Sequence, residues 1–300
     1  MTHLRIATRR SPLALAQSGR VADALREALD VEVELVPVVS QGDRSTRPLT
    51  EFGGVGVFVA AVRDAVLEGR ADLAVHSLKD IPTAPHPGLT LAAVPERADA
   101  RDALVSRGLS LAELRVGARV GTGSPRRAAQ LRAHRPDLDI VPVRGNVDTR
   151  LRFVEESELD AVVLAAAGLA RLDRLAEATE LLAADVVMPA PGQGALAVEA
   201  RQDDPAALAA AASLDDPPTR AAVTAERSLL ARLEAGCSAP VGALATVVAD
   251  QIFLNAVVHT SDDEAVRVSL AGPVGSAVEL GSAAADRLLA DARMVGGVVR

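Results

Sequence analysis

Short apolar segments alternate with longer segments of helical periodicity at the start of the chain. Strands are predicted over 4–8, 31–39 and 72–76, and helices over 12–28 and 57–67. Short strands that alternate with helices of this length are typical of α/β folds, in which crossover helices cover the sheet. The first part of the chain is therefore predicted to form an α/β lobe.

The same order of elements returns further along the chain. The segment RIATRRSPLALAQ at 5–17 resembles RVGTGSPRRAAQ at 119–130, and VELVPVVSQGDR at 33–44 resembles LDIVPVRGNVDTR at 138–150. Internal similarity of this kind indicates a repeated structural unit. We interpret the first two thirds of the chain as two similar α/β lobes.

The last third of the chain has a different pattern. A helix is predicted over 220–234, strands over 251–260 and 264–272, and a final helix over 276–289. Because neighbouring strands follow one another between two helices, this pattern is typical of an α+β domain.

These patterns divide the chain into three predicted domains. The Pro- and Gly-rich segment VVMPAPGQGALAVEAR at 186–201 is interpreted as a crossing segment that returns the chain to the first lobe. The predicted division is lobe 1 over 1–96 and 194–214, lobe 2 over 97–193, and a C-terminal α+β domain over 215–300.

Composition narrows the class of protein. Of the 300 residues 49% are apolar, and none is Trp or Tyr, so aromatic stacking cannot be the binding principle. Cys237 is the only cysteine, which excludes an internal disulfide and favours a cytoplasmic protein. The five histidines lack the spacing of metal ligands, which argues against a structural metal.

The N-terminus has no signal-peptide pattern and no apolar run is long enough for a membrane span, so we predict a soluble protein without a membrane partner.

The net charge of −8 is unevenly distributed. Residues 1–150 carry 21 basic and 18 acidic side chains, whereas residues 151–300 carry 11 and 22. An acidic chain argues against nucleic-acid binding, and the arginines of the first half favour a small anionic ligand.

Lys79 is the only lysine among 32 basic residues. A coding preference for arginine explains most of this skew, but a lone lysine is also a candidate for a chemical role, since its ammonium group can shift its pKa.

Two predicted strand-to-helix junctions share one arrangement. Thr8, Arg9, Ser11 and Pro12 in the first lobe correspond to Thr122, Ser124, Pro125, Arg126 and Arg127 in the second. Serine is a preferred N-cap and proline a preferred first helical residue. The free N–H groups of such a helix start attract anions, and arginines bind carboxylates with two hydrogen bonds. A single junction of this kind is commonly just a helix start, but the matched pair favours a polyanionic ligand.

Further polar residues follow predicted strands, at the edge where α/β proteins bind ligands. In the second lobe these are Arg144, Gly145, Arg150 and Arg171. In the first lobe HSLKDIPT at 76–83 places Ser77, Lys79 and Asp80 after a strand, and Asp80 is the best candidate for acid–base chemistry. The alternative for Asp80 is a simple turn former.

Two more segments carry candidate chemistry. Cys237 lies in LEAGCSAPVGA at 233–243, where an accessible thiol could be a nucleophile or a covalent anchor, although free cysteines are usually buried and inert. GGVGVF at 53–58 lacks the pattern of a nucleotide-binding loop and is interpreted as part of a flexible lid.

Seven segments in order resemble the porphobilinogen deaminase family over residues 5 to about 242. They are RIATRRSPLALAQ, GGVGVF, ADLAVHSLKDIPT, GTGSPRRAAQL, VRGNVDTRL, PAPGQGALAVEAR and LEAGCSAPVGA. The resemblance implies three domains, of which the first two are similar to type II periplasmic binding proteins. It implies a transferase of porphyrin biosynthesis that joins four porphobilinogen molecules head to tail, with loss of ammonia, into hydroxymethylbilane.

The resemblance also implies the roles of particular residues. A dipyrromethane cofactor would be held by a thioether at Cys237, and Asp80 would be the catalytic carboxylate with Lys79 beside it. The cofactor would further contact Ser77, Lys79, Asp80, Thr122, Ser124, Arg126, Arg127, Arg144 and Gly145. The carboxylates of the substrate would be bound by Arg9, Ser11, Arg150 and Arg171.

Departures from the family pattern and two alternatives stay open at this point. Glu51, Val55 and Ala170 stand where lysines are common in the family, so contacts from those positions are not expected. A two-lobed small-anion binding protein would explain both helix starts, and a Schiff-base enzyme would explain the lone Lys79. The family resemblance points to a monomer.

Overall fold

A computed structural model of the chain describes residues 3–39, 59–233, 240–260 and 264–294. The chain folds into two units. Unit 1 comprises Met1–Ala98 and Ala195–Arg220, and unit 2 comprises Asp99–Gly194 and Ala221–Arg300.

The elements are numbered in chain order within the described residues. The strands are β1 (His3–Arg9), β2 (Glu32–Val38), β3 (Leu73–Ser77), β4 (Leu89–Ala93), β5 (Asp102–Ser106), β6 (Arg119–Gly121), β7 (Asp139–Val141), β8 (Ala161–Ala165), β9 (Glu180–Leu182), β10 (Leu196–Arg201), β11 (Val241–Val248), β12 (Gln251–His259) and β13 (Ala265–Pro273). The α-helices are α1 (Pro12–Leu29), α2 (Ala60–Leu67), α3 (Pro125–His134), α4 (Val147–Glu155), α5 (Ala166–Arg171), α6 (Pro205–Ala212), α7 (Pro217–Arg232) and α8 (Ala277–Met294).

Unit 1 is built on one five-stranded sheet with the order β2-β1-β3-β10-β4. Strand β1 is parallel to β2 and β3, whereas β10 is antiparallel to both of its neighbours. Leu4 and Ile6 of β1 are fully buried against Val21 and Leu25 of helix α1. Since β1 and β3 run in the same direction, the residues that follow them lie at the same edge of the sheet.

The second sheet, in unit 2, repeats this plan with the order β7-β6-β8-β5-β9. Strand β6 is parallel to β7 and β8, and β5 is antiparallel to β8 and β9. Each strand of the second sheet therefore has a counterpart in the first, and the antiparallel β5 corresponds to β10. The predicted pair of similar α/β lobes is confirmed.

The C-terminal part of unit 2 is a three-stranded antiparallel sheet, β11-β12-β13, that shares a core with helices α7 and α8. The two helices are in close contact, because a Cβ atom at Gly281 would lie 2.2 Å from the Ala225 carbonyl oxygen. Only glycine fits this helix contact. The predicted α+β class of this part is confirmed.

The sequence pattern missed one of the C-terminal strands. The segment VGALATVV is β11, a full partner of β12 from Val241 to Val248. Its small and β-branched residues form an apolar run without the alternation that identified the other two strands. None of the described helices is both long and apolar enough to cross a membrane.

Candidate functional site

Helix α1 of unit 1 begins directly after β1, as the Ser-Pro pattern predicts. The Ser11 hydroxyl accepts a hydrogen bond from the Ala14 N–H at 3.3 Å, and Pro12 is the first helical residue. The buried Thr8 hydroxyl donates to the Ala14 carbonyl at 3.1 Å, which fixes the turn between strand and helix. Arg9 is half-buried at the end of β1, next to this helix start.

Helix α3 of unit 2 begins in the same way. The Ser124 hydroxyl accepts from the Arg127 N–H at 3.4 Å, and the Thr122 hydroxyl accepts from the Ser124 N–H at 3.2 Å. A Cβ atom at Gly123 would lie 2.6 Å from the Val143 carbonyl oxygen, so only glycine allows this turn to pack against the segment that follows β7. The first-turn N–H groups of α3 are thus held at a defined place at the edge of the sheet.

The two arginines of helix α3 are buried on one carboxylate that the sequence pattern did not reveal. Asp102, the first residue of β5, is fully buried and accepts from Arg126 Nη2 at 2.8 Å and from Arg127 Nη2 at 2.7 Å. Arg126 Nη1 also donates to the Met188 carbonyl, and Arg127 Nη1 donates to the Val163 carbonyl at 3.0 Å. Neither Nε atom of the two arginines has a hydrogen-bond partner among the described residues.

The electrostatics of this cluster favour an additional anion. Burial alone would raise the pKa of Asp102, but the two guanidinium groups outweigh it and hold that pKa well below its usual range. Arg150 is half-buried, and its burial, together with the charge of Arg127, lowers its pKa to about 10. Arg126 and Arg127 therefore share one carboxylate, while Arg150 is close enough to Arg127 for the two charges to interact, and a carboxylated ligand would relieve the repulsion between these guanidinium groups.

Helix α4 places Arg150 through a glycine turn. Gly145 has φ of 108°, and a Cβ atom there would lie 2.6 Å from the Thr149 methyl group, so the turn requires glycine. Asn146 caps α4 by accepting from the Thr149 N–H at 2.9 Å, and Arg150 Nε donates to the Gly145 carbonyl at 3.0 Å. Arg144, which precedes the turn, is exposed.

Arg171 ends helix α5 in a different environment. Its side chain is buried, and its Nη2 donates to the carbonyl of Gly194, the last residue of the segment that leads to β10. Gln193 of the same segment donates to Asp102 at 2.8 Å and to the Ala100 carbonyl at 2.7 Å. Through Gln193, the crossing segment is therefore hydrogen-bonded to the same carboxylate that pairs with Arg126 and Arg127.

The candidate catalytic residues of unit 1 follow β3. A single 3-10 turn, Leu78–Asp80, is anchored by the fully buried Leu78 and leaves Asp80 exposed and Lys79 half-buried. The Ser77 hydroxyl accepts from Gln17 Nε2 of helix α1 at 2.8 Å. Because Gln17 supplies that donor, the Ser77 hydroxyl proton can be given to an acceptor on a ligand.

A buried ionic cluster lies beneath this turn. Arg63 of α2 donates to both carboxylate oxygens of Glu199 on β10, at 2.9 and 2.7 Å, and His76 Nε2 is 3.5 Å from the same carboxylate. Burial lowers the pKa of His76 to about 4, with further lowering by Arg63 and Arg9. His76 is therefore neutral at physiological pH and is not an acid–base candidate there.

Each unit thus gathers a subset of the predicted site residues at one edge of its own sheet. Unit 1 gathers Arg9, Ser11, Ser77, Lys79 and Asp80; unit 2 gathers Thr122, Ser124, Arg126, Arg127, Arg144, Gly145, Arg150 and Arg171. Cys237, Glu51, Val55 and the predicted lid segment 53–58 lie outside the described residues. Within the described ranges, no group of three or more metal-ligating side chains occurs.

Sequence reasoning missed Asp102, Gln17, Gln193 and Gln130. The two glutamines Gln17 and Gln130 were detectable in principle, because both aligned repeat segments end in Gln. Asp102 and Gln193 carry no such signal, since their partners are far away in the sequence.

Two family models match the chain. The model described as "Porphobilinogen deaminase, dipyromethane cofactor binding domain" covers residues 4–209, and "Porphobilinogen deaminase, C-terminal domain" covers residues 220–290. The donor set of unit 2 fits a cofactor with carboxylate groups, because its guanidinium cluster has an excess of positive charge and lies beside a capped helix start.

Similar proteins cover nearly the whole chain. Porphobilinogen deaminase 1 of Streptomyces coelicolor is 56% identical over 299 residues, which are 96% of this chain and 94% of that protein. Porphobilinogen deaminase of Mycobacterium marinum is 53% identical over 296 residues, 95% of this chain and 94% of that protein. The periplasmic VFT2 domain of Bordetella pertussis BvgS aligns with 71% of this chain and 86% of that domain, at 14% identity and a TM-score of 0.44.

These matches confirm the predicted transferase function and the predicted cofactor, and they do not favour the anion-binding or Schiff-base alternatives. The chain therefore belongs to the porphobilinogen deaminase family, and residues 4–209 match its dipyrromethane cofactor-binding domain.

Proposed function

We propose that the chain performs its reaction with a division of labour between the two units. Four porphobilinogen molecules are joined head to tail, each addition releases one ammonia, and water releases the finished chain as hydroxymethylbilane. The arginine cluster of unit 2 holds carboxylates, and the turn Leu78–Asp80 of unit 1 supplies the acid–base chemistry. The observation that carries this proposal is the excess of buried guanidinium groups around Asp102, next to the capped start of helix α3.

The arginines of unit 2 have two different tasks in this proposal. Arg126 and Arg127 are fixed by Asp102 and by backbone carbonyls, so they supply positive charge at a defined place and their remaining N–H donors. Arg144 and Arg150 lie closer to solvent and contact the ligand carboxylates directly. Each pyrrole of the substrate brings an acetate and a propionate, so the growing chain is a polyanion that requires many fixed donors.

Other donors complete the carboxylate-binding set. In unit 2 these are the hydroxyls of Thr122 and Ser124, the backbone of Gly145 and the side chain of Arg171; in unit 1 they are Arg9 and the start of helix α1 at Ser11. Arg171 is buried and its Nη2 is bonded to the Gly194 carbonyl, so its positive charge is held at a defined place. The contribution of each donor is modest, and their number provides the affinity.

Asp80 is the proposed catalytic carboxylate. In each addition the aminomethyl group of the substrate reacts in its protonated ammonium form: the C–N bond breaks, ammonia leaves with the electron pair, and the remaining cation is stabilised by the carboxylate of Asp80. Asp80 then accepts hydrogen bonds from pyrrole N–H groups while the new C–C bond forms and the attacked carbon loses its proton to solvent. Lys79 and Ser77 orient the side chains of the substrate next to Asp80. When bound, the dipyrromethane supplies the free pyrrole position to which the first substrate unit is joined.

Cys237 is the proposed anchor of that cofactor, through a thioether bond. The anchor belongs to the C-terminal domain of the proposed three-domain division, lobe 1 over 1–96 and 194–214, lobe 2 over 97–193, and the C-terminal domain over 215–300. We also propose that the protein is a cytoplasmic monomer whose partner is porphobilinogen, without nucleic-acid or membrane partners.

Intact mass of the purified protein tests the proposal beside a Cys237→Ser variant. We expect an added mass of two porphobilinogens less two ammonias in the parent protein and none in the variant. An unmodified parent protein that forms no dipyrromethane on incubation with porphobilinogen would contradict the proposed anchor. Activity of Lys79→Arg, measured in parallel, separates this mechanism from a Schiff base, which arginine cannot form.

A further inference from the structure

Gln130, in the middle of helix α3, is bonded to one backbone unit of the crossing segment. Its side chain is 2% exposed. Nε2 donates to the Met188 carbonyl at 3.1 Å, and Oε1 accepts from the Met188 N–H at 2.7 Å. The amide thus satisfies both polar groups of Met188 at once, which fixes this residue relative to the helix.

The same Met188 carbonyl is an acceptor for Arg126. Arg126 Nη1 donates to it, and Arg126 Nη2 donates to Asp102 at 2.8 Å. Arg126 and Gln130 are four residues apart on α3, so their side chains lie on one face of the helix and reach the same oxygen. The direction of the Arg126 guanidinium group is therefore set by two acceptors, of which one is held in place by Gln130.

On its other side, the crossing segment is packed against the C-terminal sheet of the same unit. A Cβ atom at Gly242 would lie 2.8 Å from Met188 Cβ and Cγ, so Met188 and the backbone of β11 are in direct contact. The Ala243 N–H donates to the Pro189 carbonyl at 2.9 Å. Met188 and Pro189 are thus bonded or packed to α3 on one side and to β11 on the other.

We propose that Gln130 is a positioning residue for the carboxylate-binding site. By holding the Met188 carbonyl, it orients Arg126 and couples the start of helix α3 to strand β11 of the C-terminal domain. Gln130 itself is too deeply buried to contact a ligand, so it acts through Arg126. This inference rests on the proposed role of Arg126 in binding ligand carboxylates.

Two substitutions test the coupling. Gln130→Met keeps the length of the side chain and removes both hydrogen bonds, whereas Gln130→Glu keeps the acceptor for the Met188 N–H and turns the donor into a second oxygen that faces the Met188 carbonyl. Gln202→Met is the matched control, because Gln202 Nε2 donates to the Leu89 carbonyl at 3.1 Å in unit 1 and is remote from α3 in the sequence. The measurements are KM and kcat for porphobilinogen, the fraction of protein that carries the cofactor by intact mass, and hydrogen exchange of the Met188 amide.

We expect both Gln130 variants to raise KM by about tenfold with kcat changed by less than about threefold, and to lower the fraction of protein with cofactor. The Met188 amide should exchange faster in Gln130→Met and stay protected in Gln130→Glu. The control should change none of these quantities. Should Gln130→Met fail to fold, Gln130→Glu carries the test, since it keeps the bond to the Met188 N–H.

Arg126→Leu, measured beside these variants, separates the two ideas. A normal KM and normal cofactor loading in Arg126→Leu would contradict the proposed function of that arginine. An impaired Arg126→Leu together with unchanged KM and loading in both Gln130 variants would overturn only the positioning role. A lowered melting temperature of the Gln130 variants without a change in KM would have the same meaning, because Gln130 would then be purely structural.

Discussion

Helices α1 and α3 begin with the same Ser-Pro pair and have different first turns. In α3 the first turn carries Arg126 and Arg127, which are buried on Asp102. In α1 the first turn is apolar, and the arginines precede the serine, with Arg9 half-buried. The duplicated backbone thus provides two similar anion-attracting helix starts, but fixed buried charge accompanies only the second of them.

The glutamine that ends both repeat segments also has different contacts in the two lobes. Gln17 in α1 donates to the hydroxyl of Ser77, next to the turn that presents Asp80. Gln130 in α3 instead holds the backbone of Met188 in the crossing segment. One lobe uses the position to hold a side chain at the edge of its sheet and the other to hold a backbone segment, so the two lobes differ in these contacts while their strand orders stay the same.

Removal of the carboxylate beneath the arginine pair should have the largest effect. In Asp102→Asn, two buried guanidinium groups lose their counter-charge, and we expect the free energy of unfolding to fall by about 3 kcal/mol. Chemical denaturation measures this change. Asp137→Asn is the control, since Asp137 pairs with Arg135 near the surface, where solvent screens the pair, and its loss should have a much smaller effect on the free energy of unfolding. Equal effects of the two substitutions would mean that the buried cluster is not held by Asp102.

Removal of the exposed carboxylate in unit 1 should affect catalysis instead of stability. We expect Asp80→Asn to lower kcat at least about a hundredfold, because the amide cannot stabilise a cation, and to leave the melting temperature nearly unchanged because Asp80 is exposed. Asp64→Asn on helix α2 is the matched control, as an exposed carboxylate of the same unit. Turnover of Asp80→Asn within tenfold of the parent protein would remove Asp80 from the mechanism.

The contrast between the units also shows what the sequence could predict. The Ser-Pro helix starts, the parallel strands and the edge residues Ser77 and Asp80 follow from local rules, since caps and strand ends are defined by neighbouring residues. The role of Asp102 could not be predicted, because its hydrogen bond with Arg126 forms only once β5 is placed in the sheet, antiparallel to β8. Strand β11 was missed for a related reason, since its apolar run is recognised as a strand only beside β12.

The buried His76 makes the stability of unit 1 depend on pH. Its pKa is lowered to about 4 in the folded protein, below the value of about 6.5 for an unfolded chain. The unfolded state therefore binds more protons between these values, so stability is full above about pH 6.5 and falls as the pH decreases toward 4.

Between pH 7.5 and 5 this histidine should account for a loss of about 2 kcal/mol. His76→Gln stays neutral and should show a correspondingly smaller loss, measured by urea denaturation at several pH values. The contribution of the ionised Asp102 to the free energy of unfolding is lost only at much more acidic pH, because its pKa in the folded protein lies well below the usual range. The same pH dependence in His76→Gln and in the parent protein would mean that His76 is protonated in the fold.

The smallest expected effect compares the two helix starts directly. Ser11→Ala and Ser124→Ala each remove one capping bond, of 3.3 and 3.4 Å, and should each lower the free energy of unfolding by about 1 kcal/mol. The KM for porphobilinogen should rise in both, because both hydroxyls and both sets of first-turn N–H groups belong to the proposed carboxylate site. Glycine at either position keeps most of the stability without the hydroxyl, so Ser11→Gly and Ser124→Gly separate capping from ligand contact. A raised KM in only one glycine variant would show that the duplicated helix starts are equivalent in backbone and capping but that only one of them contacts the substrate.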